Sequence, residues 1–411
     1  MAYDDSQYDL VIFGATGFVG QIVCRYLLEH TDIERDLRWA IAGRSRSKLE
    51  QLVSDLRPNA ANLPLLIADA ADESTLQALC TQTRVVISTV GPYALYGEPL
   101  VRTCVKTGTD YCDLTGEVQW IHRMVQTYEA LAQQSGARII HCCGFDSIPS
   151  DLGVYYLQQQ AQKQLGESCV QVKMRVQNAQ GGVSGGTIAS GLNLFKEATD
   201  DTTVREALEN PYILCPAGNN TPPHPPALIP VQYDEDFQAW VTPFIMAGVN
   251  TPVVLRSHAF LKDVYGESFQ YDEAIPTGSG ILGWTAAQSL NAGLGGFALA
   301  ASVPPIRSLL EQWVLPASGE GPSLEAQEQG FYDLRFWGKT ASGKTIQVKV
   351  TGDRDPGYGS TSKILGQAGI CLAKDFPKLA KSGGFWTPAA MFGDRLIQRL
   401  VNYSGLAFEV L

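Results

Sequence analysis

The sequence predicts an α/β protein whose N-terminal part is a parallel sheet flanked by helices and whose second part is an α+β domain. Apolar strand patterns alternate with helical patterns through the first 150 residues, which is typical of β-α-β units. The first strand also meets the first helix at closely spaced glycines. After Gly144 the pattern changes, and residues 170–176 alternate apolar and polar side chains as a half-buried strand does. A length of 411 residues is enough for two domains.

The first strand leads into a glycine-rich turn. Apolar residues 10–13 are followed by three glycines at spacings of three residues and then by a helical pattern. In dinucleotide-binding folds the first glycine allows a sharp turn, the second lets the backbone approach the pyrophosphate, and the third lets the helix pack on the strand. The order of strand, turn and helix predicts a Rossmann-type phosphate site. Its residues are Gly14, Ala15, Thr16, Gly17, Phe18, Val19 and Gly20.

The second strand, residues 37–43, ends in a basic segment. Sites for NAD usually place an acidic residue here to bind the ribose 2′-hydroxyl, whereas this chain has Arg44, Ser45 and two further cations in residues 46–48. The planar guanidinium of arginine binds phosphate oxygens in pairs. We therefore expect Arg44 and Ser45 to contact a 2′-phosphate, with NADP(H) as the cofactor. A plain helix start with a serine N-cap is the alternative.

The later strands of this domain complete the predicted cofactor pocket. Further strand patterns end near Asp69 and near Thr89. Ligands of parallel α/β sheets bind beyond the carboxyl ends of the strands, so we expect these ends to line the pocket. For Asp69, an exposed carboxylate without a ligand is an equal alternative. The residues that follow the fourth strand in this pocket are Thr89, Val90, Gly91 and Pro92.

Hydride transfer requires a proton donor close to the reacting atom of the substrate. No Tyr-x-x-x-Lys pair, serine nucleophile motif or metal-ligand spacing occurs in the chain, so no other chemistry competes. The segment after the sixth strand should face the nicotinamide. For each candidate donor, a structural hydrogen bond is the alternative to catalysis. The candidates are Tyr93, Asp146, Asp151 and Tyr358.

The C-terminal pattern indicates a return to the first domain. Residues 332–337 and 345–350 flank a turn and predict a hairpin, and an apolar helical pattern then begins at Ser360. We expect three parts. They are the cofactor domain over 1–150, a substrate or lid domain over 151–355, and helices over 356–411 that return to the cofactor domain.

The charge distribution excludes one class of partner. The formal net charge is −11 and no basic stripe occurs, so nucleic acid is not expected as a partner. The nine cysteines form no C-x-x-C pair and have no metal-ligand spacing, and the acidic N-terminus has no apolar signal region. We therefore expect a reducing, cytoplasmic location.

Two segments of the second domain have unusual compositions. Residues 211–230 contain seven prolines, which predicts a linker or an ordered lid. Residues 274–306 contain no charged side chain at all. This uncharged segment is interrupted by glycines and amides, so we expect a buried helical hairpin or a hydrophobic substrate wall. A segment apposed to a membrane and a membrane span are the alternatives.

Taken together, these motifs resemble the saccharopine dehydrogenase-like oxidoreductases, a group that includes the trans-acting enoyl reductases. The resemblance spans nearly the whole chain in family order. The matching segments are residues 14–20, 42–45, 89–93, 111–117, 143–151, 186–190, 358–361 and 384–388.

The resemblance implies an NADP-type cofactor domain and a second domain whose sheet covers the active-site cleft. It also implies a hydrophobic acyl or polyketide-like substrate and, as in eukaryotic relatives, contact with lipid bodies. Saccharopine itself carries several carboxylates, which would require a cluster of cations in the second domain. Only scattered cations occur there, among them Lys173, Arg175, Lys196 and Arg205.

Three hypotheses for the function follow from the sequence. The first is an NADPH-dependent oxidoreductase that reduces an enoyl or carbonyl group of a hydrophobic substrate. The second is an inactive NADP-binding scaffold at lipid surfaces, and the third is a saccharopine-like dehydrogenase of amino acids. Peripheral contact with a membrane and assembly as a homodimer are further possible features. Turnover separates the first hypothesis from the second, because the fold is the same for both.

Overall fold

The computed structural model describes residues 6–30, 36–56, 60, 62–181, 185–216, 229–303 and 321–411. Most of the proline-rich segment, residues 217–228, therefore lies outside the described residues. The described helices and strands form two units, each made of two stretches of chain. The first unit is Met1–Phe145 with Gly357–Ser404, and the second is Asp146–Pro356 with Gly405–Leu411.

The strands are numbered in chain order. They are β1 (Tyr8–Phe13), β2 (Trp39–Gly43), β3 (Leu65–Ile67), β4 (Thr83–Ser88), β5 (Asp110–Asp113), β6 (Arg138–Ile140), β7 (Cys169–Gln180), β8 (Gln232–Asp234), β9 (Ala239–Pro243), β10 (Gln270–Gly278), β11 (Phe331–Thr340), β12 (Thr345–Gly352), β13 (Gly384–Trp386) and β14 (Leu406–Val410).

The helices are numbered in the same way. They are α1 (Phe18–Glu29), α2 (Arg46–Asp55), α3 (Glu73–Thr81), α4 (Tyr93–Tyr96), α5 (Glu98–Thr107), α6 (Val118–Ser135), α7 (Ile148–Leu165), α8 (Gly185–Asp200), α9 (Thr202–Glu209), α10 (Ala247–Phe260), α11 (Lys262–Tyr265), α12 (Gly280–Ser302), α13 (Leu324–Gln329), α14 (Thr361–Lys374), α15 (Pro388–Phe392) and α16 (Asp394–Tyr403). A π-helical turn at Pro356–Ser360 precedes α14, and a 3₁₀ turn at Lys378–Ala380 precedes β13.

The first unit contains a seven-stranded sheet in the order β3-β2-β1-β4-β5-β6-β13. All of its strand pairs are parallel. The prediction of a Rossmann-type sheet is confirmed. The direction of strand order reverses between β1 and β4, and ligands of such sheets bind in the crevice that this reversal opens.

Local sequence signals set the ends of the helices in this unit. Ser45 and Asp72 are N-caps that accept backbone N–H groups of α2 and α3. Gly108 and Gly136, both in the left-handed region, end α5 and α6. Because all of the strand pairs are parallel, the carboxyl ends of the strands lie at one edge of the sheet.

Helix α14 packs on β1, β4 and β5, although it follows the whole of the long middle stretch of the second unit in sequence. A β-carbon at Gly369 would lie 2.4 Å from Ile87 Cδ1, so this glycine allows close packing between helix and sheet. The C-terminal helices therefore belong to the first unit. The last strand departs from the predicted run of helices over 356–411, because β14 pairs with β12 in the second unit.

The second unit contains a mixed seven-stranded sheet in the order β14-β12-β11-β7-β10-β9-β8. Among the described strands of this sheet, β7 and β10 form the one parallel pair, and the other pairs are antiparallel. Helix α7 packs on this sheet, and a β-carbon at Gly153 would lie 2.3 Å from Phe336 Cζ. The predicted hairpin near residues 332–350 is formed by β11 and β12.

The uncharged segment forms a different structure from the expected buried hairpin. Residues 280–302 are one continuous helix, α12, and most of its described side chains are exposed. The expectation of a buried hairpin was wrong, because an apolar composition alone does not distinguish a protein core from a surface that binds an apolar partner. No helix within the described ranges combines the length and apolarity that a membrane crossing requires.

Candidate functional site

The turn between β1 and α1 depends on two glycines for its packing. Gly14 has a φ of +88°, in the left-handed region that favours glycine. A β-carbon there would lie 2.6 Å from Val90 Cγ2, and one at Gly20 would lie 2.3 Å from the carbonyl oxygen of Gly14. Side chains at either position would therefore collide with the protein itself. Both glycines are required by the fold of the turn.

Gly17 differs from the other two glycines because a side chain there would make one tight contact within the protein and no outright collision. Gly17 is exposed, and within the described part of the chain, apart from its two neighbours in sequence, only the Gly14 carbonyl oxygen lies within 4 Å of a built β-carbon, at 3.2 Å. Gly17 is also the N-cap of α1, with no side-chain cap and no acidic residue in the first turn. The N–H groups of that turn have no acceptor inside the helix and suit an anion. The turn therefore fits the pyrophosphate of a dinucleotide.

The segment after β4 forms the opposite wall of this turn. The Thr89 hydroxyl donates to the Gly14 carbonyl oxygen at 3.0 Å, and its backbone N–H donates to the Phe13 carbonyl oxygen at 3.0 Å. Val90 lies against Gly14, and Gly91 and Pro92 then lead into α4. The structure thus brings the predicted residues after β1 and after β4 together at the point where the strand order reverses.

The basic segment after β2 contains one exposed arginine and one capping serine. Arg44 is exposed and makes no ion pair within the part of the chain that the structure describes, whereas Arg46 lies 3.8 Å from Glu50. The Ser45 hydroxyl accepts the Lys48 backbone N–H at 3.4 Å, which is the N-cap alternative. Arg44 is therefore available to meet a phosphate at the end of β2.

Asp69 follows β3 and organises its own loop. Its carboxylate accepts the Ala71 backbone N–H at 3.0 Å, and its backbone N–H donates to the Thr75 hydroxyl at 3.1 Å. The residue is half-buried at the same edge of the sheet as the glycine turn. Its contact with a cofactor stays a prediction.

The hydroxyl of Tyr93 is used inside the protein. Tyr93 is buried, and its hydroxyl donates to the Ser88 carbonyl oxygen at 2.9 Å. The buried Glu117 carboxylate accepts the backbone N–H groups of Tyr93 and Ala94 at 2.7 and 2.8 Å and so stabilises the start of α4. This arrangement favours the structural alternative for Tyr93. Glu117 had no predicted role, because its bond to Tyr93 crosses 24 residues of sequence.

Tyr358 lies beside the glycine turn. It is buried in the π-helical turn before α14, and its ring meets the Phe18 ring edge-on with centroids 5.1 Å apart. Phe18 is the first residue of α1. Of the four candidate donors, Tyr358 is therefore the one that the first unit places against the predicted phosphate site.

A buried Asp113–His141 pair stands at the carboxyl ends of β5 and β6. The Asp113 carboxylate lies 2.6 Å from His141 Nδ1 and also accepts the Cys142 backbone N–H at 3.2 Å. Cys142 has a φ of +61°, unusual for a residue with a side chain. The contact between these two side chains connects the end of β5 with the end of β6. Among the described residues, no three His, Cys, Asp or Glu side chains come together as metal ligands.

The other two candidate donors, Asp146 and Asp151, belong to the second unit. Burial raises the pKa of Asp146 to about 6, well above the ordinary aspartate range. A carboxyl with that pKa keeps a protonated fraction near neutral pH and can exchange a proton there. Asp151 is fully buried in the first turn of α7, a position that favours a carboxylate for structural reasons.

A buried polar network holds the start of α7. The Ser147 hydroxyl donates to Asn250 Oδ1 at 2.9 Å, and Asn250 Nδ2 donates to the Glu273 carboxylate at 3.0 Å. The Tyr271 hydroxyl donates to the same carboxylate at 2.6 Å. Burial raises the pKa of Glu273 to about 7, against the lowering effect of these donors. Nothing in the local sequence indicates this network, since its members lie on three separate elements.

Replacing Glu273 with Gln is expected to flatten the pH dependence of stability. Because the folded-state pKa is raised from 4.5 to about 7, the stabilisation from this group is complete below pH 4.5 and is lost as the pH rises through 7. Wild type should lose up to about 3 kcal/mol between those limits relative to Glu273→Gln. Urea unfolding at pH 5 and pH 8 measures the difference. Parallel pH profiles for the two proteins would contradict the assignment.

Comparison with family models matches residues 10–140 to the saccharopine dehydrogenase NADP-binding domain. A trans-acting enoyl reductase of Mycobacterium tuberculosis is 36% identical over 410 residues, covering 97% of this chain and 97% of its own. Another Mycobacterium tuberculosis protein, whose name places it with the same enzymes, is 39% identical over 96% of this chain and 95% of its own.

Among solved structures, the chain is similar to apo saccharopine dehydrogenase (L-Glu forming) of Saccharomyces cerevisiae. The TM-score is 0.55, the identity is 13%, and the match covers 98% of this chain and 99% of that chain. At this identity the similarity concerns the fold. Because nearly the whole of each chain is covered, it extends over both units.

Proposed function

The chain belongs to the family of the trans-acting enoyl reductases and is an NADP-dependent oxidoreductase, and from this we propose that it uses NADPH to reduce an enoyl or carbonyl group of a hydrophobic acyl substrate. The glycine turn, Thr89 and Arg44 would hold the cofactor through its pyrophosphate and its 2′-phosphate. NADPH supplies a hydride when bound, and the protein must position the acceptor and deliver a proton.

The ion pairing of the second unit is the observation that favours a hydrophobic substrate. Arg175 is buried and pairs with Asp234 and Asp272 at 2.6 Å each, and Lys173 lies 3.1 Å from Asp234. Both of these cations are therefore engaged by carboxylates of the protein. A multiply charged amino-acid substrate would need unpaired arginine or lysine. We therefore favour an acyl substrate over a saccharopine-like one.

We compare the four candidate proton donors by their position and by the pKa of the group. Tyr93 uses its hydroxyl on Ser88, and Asp151 is fully buried in a helix turn. Tyr358 beside Phe18 and Asp146 with its raised pKa remain. A donor with a pKa near the working pH both keeps and releases its proton readily, which favours Asp146 for this role.

The test is NADPH oxidation by the purified full-length protein with medium-chain trans-2-enoyl-thioesters. We expect turnover with the enoyl-thioester and none with the saturated thioester of equal chain length, which is the matched control. Turnover with a 3-ketoacyl-thioester instead would assign carbonyl reduction. NADPH binding without turnover of either thioester would favour the inactive scaffold, and oxidation that requires an amino acid and a keto acid would favour the saccharopine-like alternative.

A further inference from the structure

Helix α12 places large apolar side chains in solvent. Ile281, Leu282 and Leu299 are 81%, 84% and 71% exposed, and Trp284, Leu290 and Phe297 are exposed as well. Soluble proteins rarely leave a contiguous apolar surface of this kind open, and such surfaces mark sites of interaction. The observation is independent of the cofactor site, since α12 belongs to the second unit.

The exposure of α12 extends around most of the helix. Among its described residues only Gly283 and Ala287, one turn apart, are buried, where the helix crosses β9 and β10; α12 also contacts α8. The Thr242 hydroxyl donates to the Ala287 carbonyl oxygen at 3.2 Å and fixes this crossing. Beyond it, the described residues of 288–297 are exposed except for the half-buried Leu294. A partner with one flat face would cover one side of such a helix, whereas a fluid apolar phase covers all sides.

The charges near α12 indicate which kind of lipid surface the helix would bind. No charged residue occurs from 274 to 306, and the chain carries a net charge of −11. The neighbouring β8–β9 hairpin adds the exposed Glu235, while Lys173 nearby is paired with Asp234 and Asp236. Helices that bind anionic membranes carry lysine and arginine on their polar side. These features favour an electrically neutral lipid surface.

The glycine content of α12 also favours a lipid environment for this helix. Gly293, Gly295 and Gly296 lie within the exposed part of the helix with open space around them. Glycine weakens a helix in water, because it loses the most backbone freedom and leaves the peptide groups hydrated. In hydrocarbon every backbone N–H and C=O must be paired within the segment, so a helix is favoured and glycine is well tolerated.

Aromatic rings lie where α12 meets the rest of the unit. Trp284 is in its second turn, and the β8–β9 hairpin beside it carries Tyr233 and Trp240, with ring centroids 5.7 Å apart. Tyr233 and Trp284 are both exposed. Tryptophan and tyrosine are the residues that proteins place at the level of lipid headgroups.

We propose that α12 anchors the protein to an electrically neutral lipid surface by lying within it, with its apolar side chains among the acyl chains and without crossing the bilayer. At about 1.5 Å per residue its 23 residues extend about 35 Å along the surface. The anchor would hold the second unit at the place where hydrophobic acyl substrates reside. It is a property of the helix and does not depend on turnover.

The test is flotation of the full-length protein with phosphatidylcholine vesicles on a density gradient. We expect wild type to float, and the floated fraction to fall about tenfold or more in Leu282→Asp/Leu290→Asp, because each charge must enter the lipid. The milder pair Leu282→Ser/Trp284→Ser should lower it less. The matched control, Leu379→Asp/Val401→Asp, changes two exposed apolar residues of the first unit and should float as wild type does. Thermal unfolding of each variant confirms that it is folded.

Several results would overturn the proposal. Wild type that stays at the bottom of the gradient with phosphatidylcholine is one, and flotation that persists in both folded α12 variants is another. Stronger flotation when about one third of the lipid is phosphatidylglycerol would reverse the charge argument. A lipid-free dimer that the α12 substitutions convert to a monomer, without flotation of wild type, would assign the helix to a second copy. Resistance to alkaline carbonate extraction would show an integral segment.

Discussion

Gly17→Val is expected to abolish NADPH binding while the protein stays folded. The backbone of Gly17 has φ −75° and ψ 165°, an extended conformation that valine adopts readily. Its β-carbon would lie 3.2 Å from the Gly14 carbonyl oxygen and would otherwise meet open space. That space is the one a pyrophosphate needs at the start of α1. We expect the dissociation constant to rise about a hundredfold or more, measured by fluorescence titration or calorimetry.

Two further valine variants separate binding from folding. Gly20→Val places a β-carbon 2.3 Å from the Gly14 carbonyl oxygen, so we expect it to destabilise the first unit itself. Gly248→Val, near the start of α10 in the second unit, meets open space and should bind NADPH as wild type does. Unchanged NADPH affinity in a folded Gly17→Val protein would place the cofactor elsewhere.

Arg44→Ala is expected to weaken NADPH binding about 10- to 100-fold and to leave NADH binding nearly unchanged. Arg44 is exposed at the carboxyl end of β2, where the ribose of a bound dinucleotide lies in Rossmann-type sheets. A charge-assisted contact to the 2′-phosphate contributes about 1.5–3 kcal/mol, which corresponds to that range of affinity. NADH has no 2′-phosphate and cannot lose the contact. Parallel titrations of both cofactors give the comparison.

Arg46→Ala is the matched control for this prediction. Arg46 is also exposed on the same segment, but it lies 3.8 Å from Glu50 on the outer surface of α2. Its removal changes the local charge by the same amount, so it reports any general electrostatic effect. An equal loss of NADPH and NADH affinity in Arg44→Ala would show that the arginine acts through the structure of the segment.

The parts of the fold that follow from local rules were predictable from the sequence. The spacing of Gly14, Gly17 and Gly20 behind an apolar strand indicated the turn, because steric limits on the backbone act over a few residues. The parallel order of the first sheet followed from alternating patterns of strand and helix, and the structure confirms it. The roles of the individual site residues stay predictions.

The parts that depend on distant residues were not predictable. Glu117 reaches the start of α4 across 24 residues, and Ser147 bonds Asn250 across 103. Such bonds leave no periodic pattern, since any polar residue at a buried position satisfies the same local rules. The uncharged helix α12 shows the same limit. Its apolarity was evident, but composition alone does not distinguish a protein core from a lipid-facing surface.

The chain passes between the two units three times, near residues 145, 356 and 404, and this order governs how the cofactor unit can be built during synthesis. When residue 145 has been made, the sheet lacks its edge strand β13 and the cover that α14 provides over β1 and β4. The apolar surface around Leu10 and Ile87 then stays uncovered until about two hundred further residues have been made and Gly369 of α14 can pack on it. A gene fragment cut at the end of the predicted cofactor domain therefore encodes an incomplete core, whereas a circularly permuted gene that joins the two stretches would encode a complete one.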